Sequence, residues 1–331
     1  MSILDPLTGV SDILVNNDVV KENDGLRIVL VAAFRTGSTF TGELLNMNPN
    51  IFYLFEPFRI IQDIVKRNAI GKDLENSTKL ELLTDIFACR FPTYFVHHIR
   101  HWGLATYESN SLKDACMQHK GCKNMTPEEL AETCKGYKHV AMKVIRLQSL
   151  KLLQPLLVRD SMNLKVLHLI RDPRGVASSR KYMYKNAANK PIMKAVVDTT
   201  RNYCQSEVEM LELSSVMPDW LRGRYKLIRY EDNAIGPLKM AKNVYDFLNL
   251  KLPPKVTQWI NENTKSDVTP MGVMSTRKNS SAAAQSWRFR LLYNDVEVIQ
   301  NLPPCHKLME ILGYNRITSP IQMYNMSYIS F

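Results

Sequence analysis

Five apolar runs of strand length recur along this sequence: RIVLVAA (27–33), NIFYLF (50–55), HVAMKVI (139–145), LKVLHLI (164–170) and RYKLIRY (224–230). Segments with helical period and caps fall between and after them, at 38–48, 59–70, 79–90, 147–158, 173–185, 191–213 and 234–248. Strands that are apolar on both faces and alternate with helices call for a parallel sheet covered on both sides, because every parallel crossover lays a helix over one face. The expected class is therefore α/β, and 331 residues suffice for one large domain of that kind.

Two stretches break the alternation. Residues 106–136 are polar and hold Cys116, Cys122 and Cys134, which reads as a cross-linked insertion outside the sheet. Residues 264–286 are rich in Ser, Thr and Ala around Arg277 and Lys278, which reads as a long loop of the kind that is usually functional. The six cysteines form no C-x₂₋₄-C pair, so disulfides are expected in place of zinc. Proximity pairs Cys89, Cys116, Cys122 and Cys134 among themselves, and elimination leaves Cys204 with Cys305. Sequons at Asn76, Asn124, Asn279 and Asn325 agree with the same oxidising compartment. The first 26 residues carry no signal-peptide pattern, and no apolar run approaches membrane-spanning length.

The most informative segment runs from Ile28 into Phe34, Arg35, Thr36, Gly37, Ser38, Thr39 and Phe40. A buried strand leads through a short turn with one cation, one glycine and three hydroxyls into a helix. Backbone N–H groups at such a helix start point at an anion, and the helix dipole favours its charge. The strict GxxxxGK[ST] loop is absent, which disfavours a nucleotide kinase. The plain structural alternative is a strand–turn–helix with Ser38 as N-cap. A second strand ends at Arg171, followed by Asp172, Pro173, Arg174 and, further on, Ser178 and Ser179. Asp172 can cap the next helix and Pro173 suits its first turn, which leaves Arg171 at the carboxyl end of a strand, where open α/β sheets bind ligands.

Taken together, FRTGSTFTGELLN, IFYLFEP, KVIRL, LHLIRDPRGVASSR, RYED, STRKNSSAAAQSWR and LGY, in this order between about 27 and 314, resemble the Golgi carbohydrate 6-O-sulfotransferases, which sulfate galactose, GalNAc or GlcNAc in chondroitin, keratan and related glycans. The resemblance implies a phosphate-loop-like three-layer fold over 27–315, preceded by residues 1–26 and followed by a tail, 316–331. It implies 3′-phosphoadenosine 5′-phosphosulfate (PAPS) as donor, without a metal. By carry-over, Arg35 to Phe40 hold the 5′-phosphosulfate, Arg171 with Ser178 and Ser179 hold the 3′-phosphate, and Arg277 (or Lys278) clamps a phosphate or the adenine. It also implies a Golgi-lumen enzyme of a membrane-anchored family, although no counterpart of the anchor is visible in this sequence.

Sulfuryl transfer needs an in-line nucleophile and a charge clamp, the role expected of Arg35. A sugar hydroxyl also needs a base. Glu56 is expected to be that base, because Pro57 biases it toward an extended conformation at a strand end, with His97, His98 and His101 as further candidates. Arg59, Lys143, Arg146 and Arg174 are candidates for binding an anionic glycan acceptor. The net charge of +11 raises a rival reading, a noncatalytic binder of acidic polysaccharide. The basic residues lie dispersed and not in stripes, which argues against that reading and against nucleic acid as a partner.

Overall fold

In a computed structural model of the chain, residues 25–119, 121–184, 192–264, 279–328 and 330–331 are described. Five strands, β1 (Arg27–Ala32), β2 (Ile51–Phe55), β3 (His139–Val144), β4 (Leu164–Ile170) and β5 (Tyr225–Arg229), form one sheet in the order β2-β3-β1-β4-β5. Every pairing is parallel, with Val29 level with Met142 on one side and Val166 on the other. The three-layer α/β expectation holds. All five carboxyl ends therefore lie on one rim, and β1 is the centre from which the chain moves outward in both directions, the place where such sheets bind ligands.

Strand side chains alternate between the two faces, so each face has its own core. Val29, Val31, Phe52, Leu54, Val140, Met142 and Val166 face one layer, where they meet Leu82, Leu83, Ile86 and Phe87 of α3 (Glu75–Phe87) and Phe95 of α4 (Thr93–His101). Ile28, Leu30, Tyr53, Phe55, Ala141, Leu167 and Leu169 face the other, against Leu45 of α1 (Ser38–Asn46), Ala234 and Val244. Between α1 and α3, α2 (Arg59–Lys66) leaves the rim directly after β2.

Several sequence expectations need correction. Residues 147–158 do not form one helix but a 3₁₀ turn, Leu150–Leu153, and a single turn, α8 (Gln154–Leu157). Pro155 has no N–H to continue a helix from the preceding turn and can only open a new one. The segment 234–248 is divided at Gly236-Pro237 between α11 (Tyr230–Ile235) and α12 (Pro237–Phe247). The 264–286 stretch is not loop throughout, since Ser280–Gln285 is helical with Asn279 as its cap. The polar insertion is helical as well: α5 (Gly103–Tyr107) and α6 (Asn110–Gln118) lie along the outer edge of β2, and α7 (Pro127–Lys135) packs on α6.

Disulfides join Cys89 to Cys134, Cys116 to Cys122 and Cys204 to Cys305, in line with the pairing drawn from proximity and elimination. The last of these ties α10 (Ile192–Val216) to the helix Pro303–Leu312. The C-terminal residues are held by buried arginines. Arg174, on α9 (Pro173–Tyr184), donates to the carbonyls of Asn315 and Ser330, and Arg288 donates to those of Met323 and Tyr328. No helix among the described residues is long and apolar enough to cross a membrane.

Candidate active site

β1 and β4 are neighbours, so the residues that follow them meet about one strand spacing, about 5 Å, apart. Arg35 Nε donates to Ser179 Oγ (2.9 Å), and Arg171 Nη1 donates to the Arg35 carbonyl (3.2 Å). The three residues singled out for the donor phosphates, distant in sequence, thus form one cluster. Burial, and next the Arg171 guanidinium, push the Arg35 pKa down to about 10, with Arg180 acting in the same direction. Like charges gathered in a half-closed site favour an anion between them. Arg171 Nε is buried and has no hydrogen-bond partner among the described residues, which leaves a donor for such an anion. The Arg171 guanidinium lies 4.1 Å from the centre of the Tyr230 ring.

The turn itself is shaped for close approach. Thr36 is fully buried and its hydroxyl donates to the Ala33 carbonyl (2.8 Å), closing the loop. Gly37 has φ 92°, and a Cβ there would lie 2.3 Å from the Tyr230 ring. Gly37, not Ser38, occupies the N-cap of α1 and no side chain caps the helix, so the plain reading of Ser38 as N-cap fails and the first N–H groups of α1 stay available. Phe40 packs on Trp259 (5.2 Å), so only its backbone faces the loop. Ser178 is buried in α9, and of the two serines Ser179 is the one that reaches Arg35. Arg277 and Lys278 lie outside the described residues.

What holds Arg171 in place was not legible in the sequence. Tyr203 brackets its backbone, accepting from the Arg171 N–H (3.0 Å) and donating to its carbonyl (2.6 Å). One buried carboxylate then joins three of the motifs: Glu231 of RYED accepts from the Asp172 N–H (3.1 Å) of RDP and from the hydroxyl of Tyr314 (2.7 Å) of LGY. Burial, followed by the nearby Asp172, raises the Glu231 pKa. Arg174 pairs with Asp172 (2.6 Å), stacks on Trp287 and is wholly buried. Its place as an acceptor contact is therefore corrected: it braces the turn that carries Arg171.

At the other side of β1, the carboxylate of Glu56 follows β2, two strand spacings or about 10 Å from the end of β1. Glu56 is not extended, as Pro57 suggested, but left-handed at φ 49°; Arg35, at φ 75°, is left-handed too. Such backbone costs energy in a non-glycine residue and persists where surrounding contacts fix it. The Glu56 N–H donates to the Lys143 carbonyl, and its own carbonyl accepts from the Arg59 N–H (both 3.0 Å). Its carboxylate bridges Lys143 Nζ (3.1 Å) and Arg146 Nη1 (2.8 Å), and Arg146 Nε donates to Gln62 (2.9 Å). Lys143 is fully buried, with its ammonium 3.5 Å from the centre of the Phe55 ring, so it belongs to the site floor and not to a solvated acceptor face. Burial pushes its pKa down to about 8, against the opposing pull of Glu56.

The remaining candidates lie elsewhere. Arg59 pairs with Asp63 on the surface of α2. His97 and His101 are exposed and stack on each other along α4, with ring centres 4.5 Å apart. His98 is half-buried beside Trp102, and burial lowers its pKa. None of the three histidines is bonded to Glu56 among the described contacts.

The rim brings together a lysine-free glycine turn, two converging arginines and a separate carboxylate, and residues 26–312 match the family model described as "Sulfotransferase domain". The fold agrees with the sulfotransferase domain of the Synechococcus PCC 7002 olefin synthase, with a TM-score of 0.51 at 17% identity over 88% of this chain and 96% of that one. The chain is 32% identical to carbohydrate sulfotransferase 3 of Homo sapiens over 91% of its own length and 69% of the relative's. It is 30% identical to carbohydrate sulfotransferase 1 of Danio rerio over 91% and 80%. The chain belongs to the carbohydrate sulfotransferase family, and it is a PAPS-dependent transferase.

Proposed function

We propose that this protein transfers the sulfuryl group of PAPS to the 6-hydroxyl of a GalNAc, Gal or GlcNAc residue in a glycosaminoglycan or glycoprotein glycan, with Glu56 as the base. The single observation that carries this reading is the placement of Glu56 on the same rim as Arg35 but two strands away, with its carboxylate held by Lys143. The buried, unpartnered Arg171 Nε and the left-handed Gly37 against Tyr230 fit a phosphorylated nucleotide on the other side of Arg35. When bound, PAPS supplies a sulfuryl group on a phosphate leaving group.

In this reading Arg35 and the first N–H groups of α1 stabilise charge that builds on the departing phosphate. Arg171 and Ser179 hold the 3′-phosphate and set the donor's register, and Arg277 remains a proposed clamp. Lys143 and Arg146 hold Glu56 in place, and its carboxylate takes the hydroxyl proton as the new S–O bond forms. Three disulfides and a family of glycan-modifying relatives support action in the Golgi lumen.

The paired cations favour one second reading, in which Glu56 only organises Lys143 and Arg146 as contacts to the acceptor or the sulfuryl oxygens. Arg146→Gln separates the two. A base still held by Lys143 loses about tenfold at most in kcat, whereas an organiser loses as much through Arg146→Gln as through Glu56→Gln. The function itself is tested with labelled PAPS across desulfated chondroitin, keratan and N-acetylglucosamine-terminated glycans, followed by positional analysis. Label at a sugar 6-hydroxyl is expected; donor-independent binding without transfer would return the protein to the noncatalytic class.

A further inference from the structure

β2 is an edge strand, paired with β3 on one side only. Edge N–H groups need partners when they are buried. Here two serines stand in for a sixth strand. Ser111 Oγ accepts from the Tyr53 N–H (2.9 Å) and donates to the Tyr53 carbonyl (2.7 Å), and Ser109 Oγ accepts from the Phe55 N–H (3.1 Å). Both serines are buried. Between them, Asn110 donates through its backbone N–H to Asn46 Oδ1 (2.8 Å) and through Nδ2 to the Asn46 carbonyl (3.1 Å), at the last residue of α1. The sequence Ser109-Asn110-Ser111 thus clasps the phosphate-loop helix to the strand that ends in Glu56.

Ser109 shows where this hydroxyl is committed. It occupies the N-cap of α6, where a serine ordinarily accepts a helix N–H, yet it makes no cap bond. Its oxygen serves β2 instead, at the residue before the left-handed Glu56. The clasp is itself anchored: Cys116–Cys122 closes the end of α6, and Cys89–Cys134 fixes α7, which packs on α6, to the segment after α3.

We infer that Ser109, supported by Ser111, is a positioning residue for Glu56: the disulfide-anchored insertion sets the reach of the carboxylate toward the group held by the phosphate loop. The inference rests on the reading of Glu56 as base. Misplacing a catalytic group by about 1 Å costs up to about 10²-fold, so Ser109→Ala is expected to lower kcat about tenfold, with the dissociation constant of 3′,5′-adenosine bisphosphate changed less than about twofold. Ser109→Thr keeps the accepting oxygen and should restore kcat to within about threefold. In the Glu56→Gln background, adding Ser109→Ala should change kcat less than about twofold, since a residue that acts through Glu56 has nothing left to position. If Ser109→Ala does not fold, Ser111→Ala, two residues further from Glu56, carries the same cycle with an expected loss of about threefold. Unchanged kcat in the folded serine variants, or equal losses in both backgrounds, overturns the inference. Normal turnover by Glu56→Gln alone would instead remove the base reading on which it stands.

Discussion

Around the ends of β1 and β4, the Arg171 and Arg180 guanidinium groups both act on Arg35 as like charges, while Asp172 pairs with Arg174 and Glu231 accepts from Tyr314 and the Asp172 N–H. Around the ends of β2 and β3 the order is reversed. Lys143 is enclosed by the charges of Glu56 and Glu108, and Glu43 lies in the same field. The first region gathers arginines around the turn after β1, which suits an anion that arrives and leaves. The second is compensated internally, which suits a neutral hydroxyl that must give up a proton. Both lie on one rim, the first at the ends of β1 and β4 and the second at the ends of the adjoining β3 and β2.

The comparison breaks most visibly at Arg35. Arg35→Ala should lower kcat by about 10²–10³-fold, in the range found for loss of a single oxyanion donor, because its partner is the group whose charge changes. A loss confined to KM would place Arg35 on a spectator group. Arg171→Ala should weaken 3′,5′-adenosine bisphosphate by about 10–100-fold in calorimetry, as expected for a charged hydrogen-bonding partner. Normal binding in that variant would dismiss the 3′-phosphate assignment.

On the compensated side, Glu43→Gln sharpens the contrast through stability. Burial raises the Glu43 pKa to about 7, and the neighbouring Glu108 adds to it against a hydrogen bond from Asn46. Between the ordinary value of 4.5 and about 7 the folded protein holds more protons than the unfolded chain. Stability from this group is therefore lost as pH rises through that window and is gone above it. Glu43→Gln keeps the bond to Asn46 and removes the charge. It should be more stable than the parent at pH 8, by about 1–3 kcal/mol and so with a higher unfolding temperature, and should unfold at the same temperature as the parent at pH 4. Equal unfolding temperatures at both pH values would show that burial does not hold Glu43 in its neutral form.

The donor half of the site was legible because its signal is local: strand, short turn and helix lie within a dozen residues, and Arg35 and Arg171 each follow an apolar run directly. The parallel sheet was legible for the same reason. What was not legible depends on contacts between distant segments. Tyr203 brackets Arg171, and Ser109 and Ser111 close β2, yet none of these residues lies in a pattern that marks it; Glu231 stands in RYED, but nothing local shows that it joins RDP to LGY. Lys143 reads as a surface cation in KVIRL, but β3 is buried along its whole length, and Glu56, which follows the neighbouring strand, together with Glu108 makes a charge acceptable there. Arg174 misled for a similar reason, since the Trp287 and C-terminal carbonyls that bury it lie more than 100 residues away.

The most direct test of a site divided between an anion-holding side and a proton-accepting side is Glu56→Gln, measured for turnover and for 3′,5′-adenosine bisphosphate affinity in the same buffer. Turnover about 10²-fold lower or less, with the dissociation constant within about twofold of the parent's, is the expected result. Turnover near that of the parent, or a loss of nucleotide affinity in proportion to the loss of turnover, would contradict it.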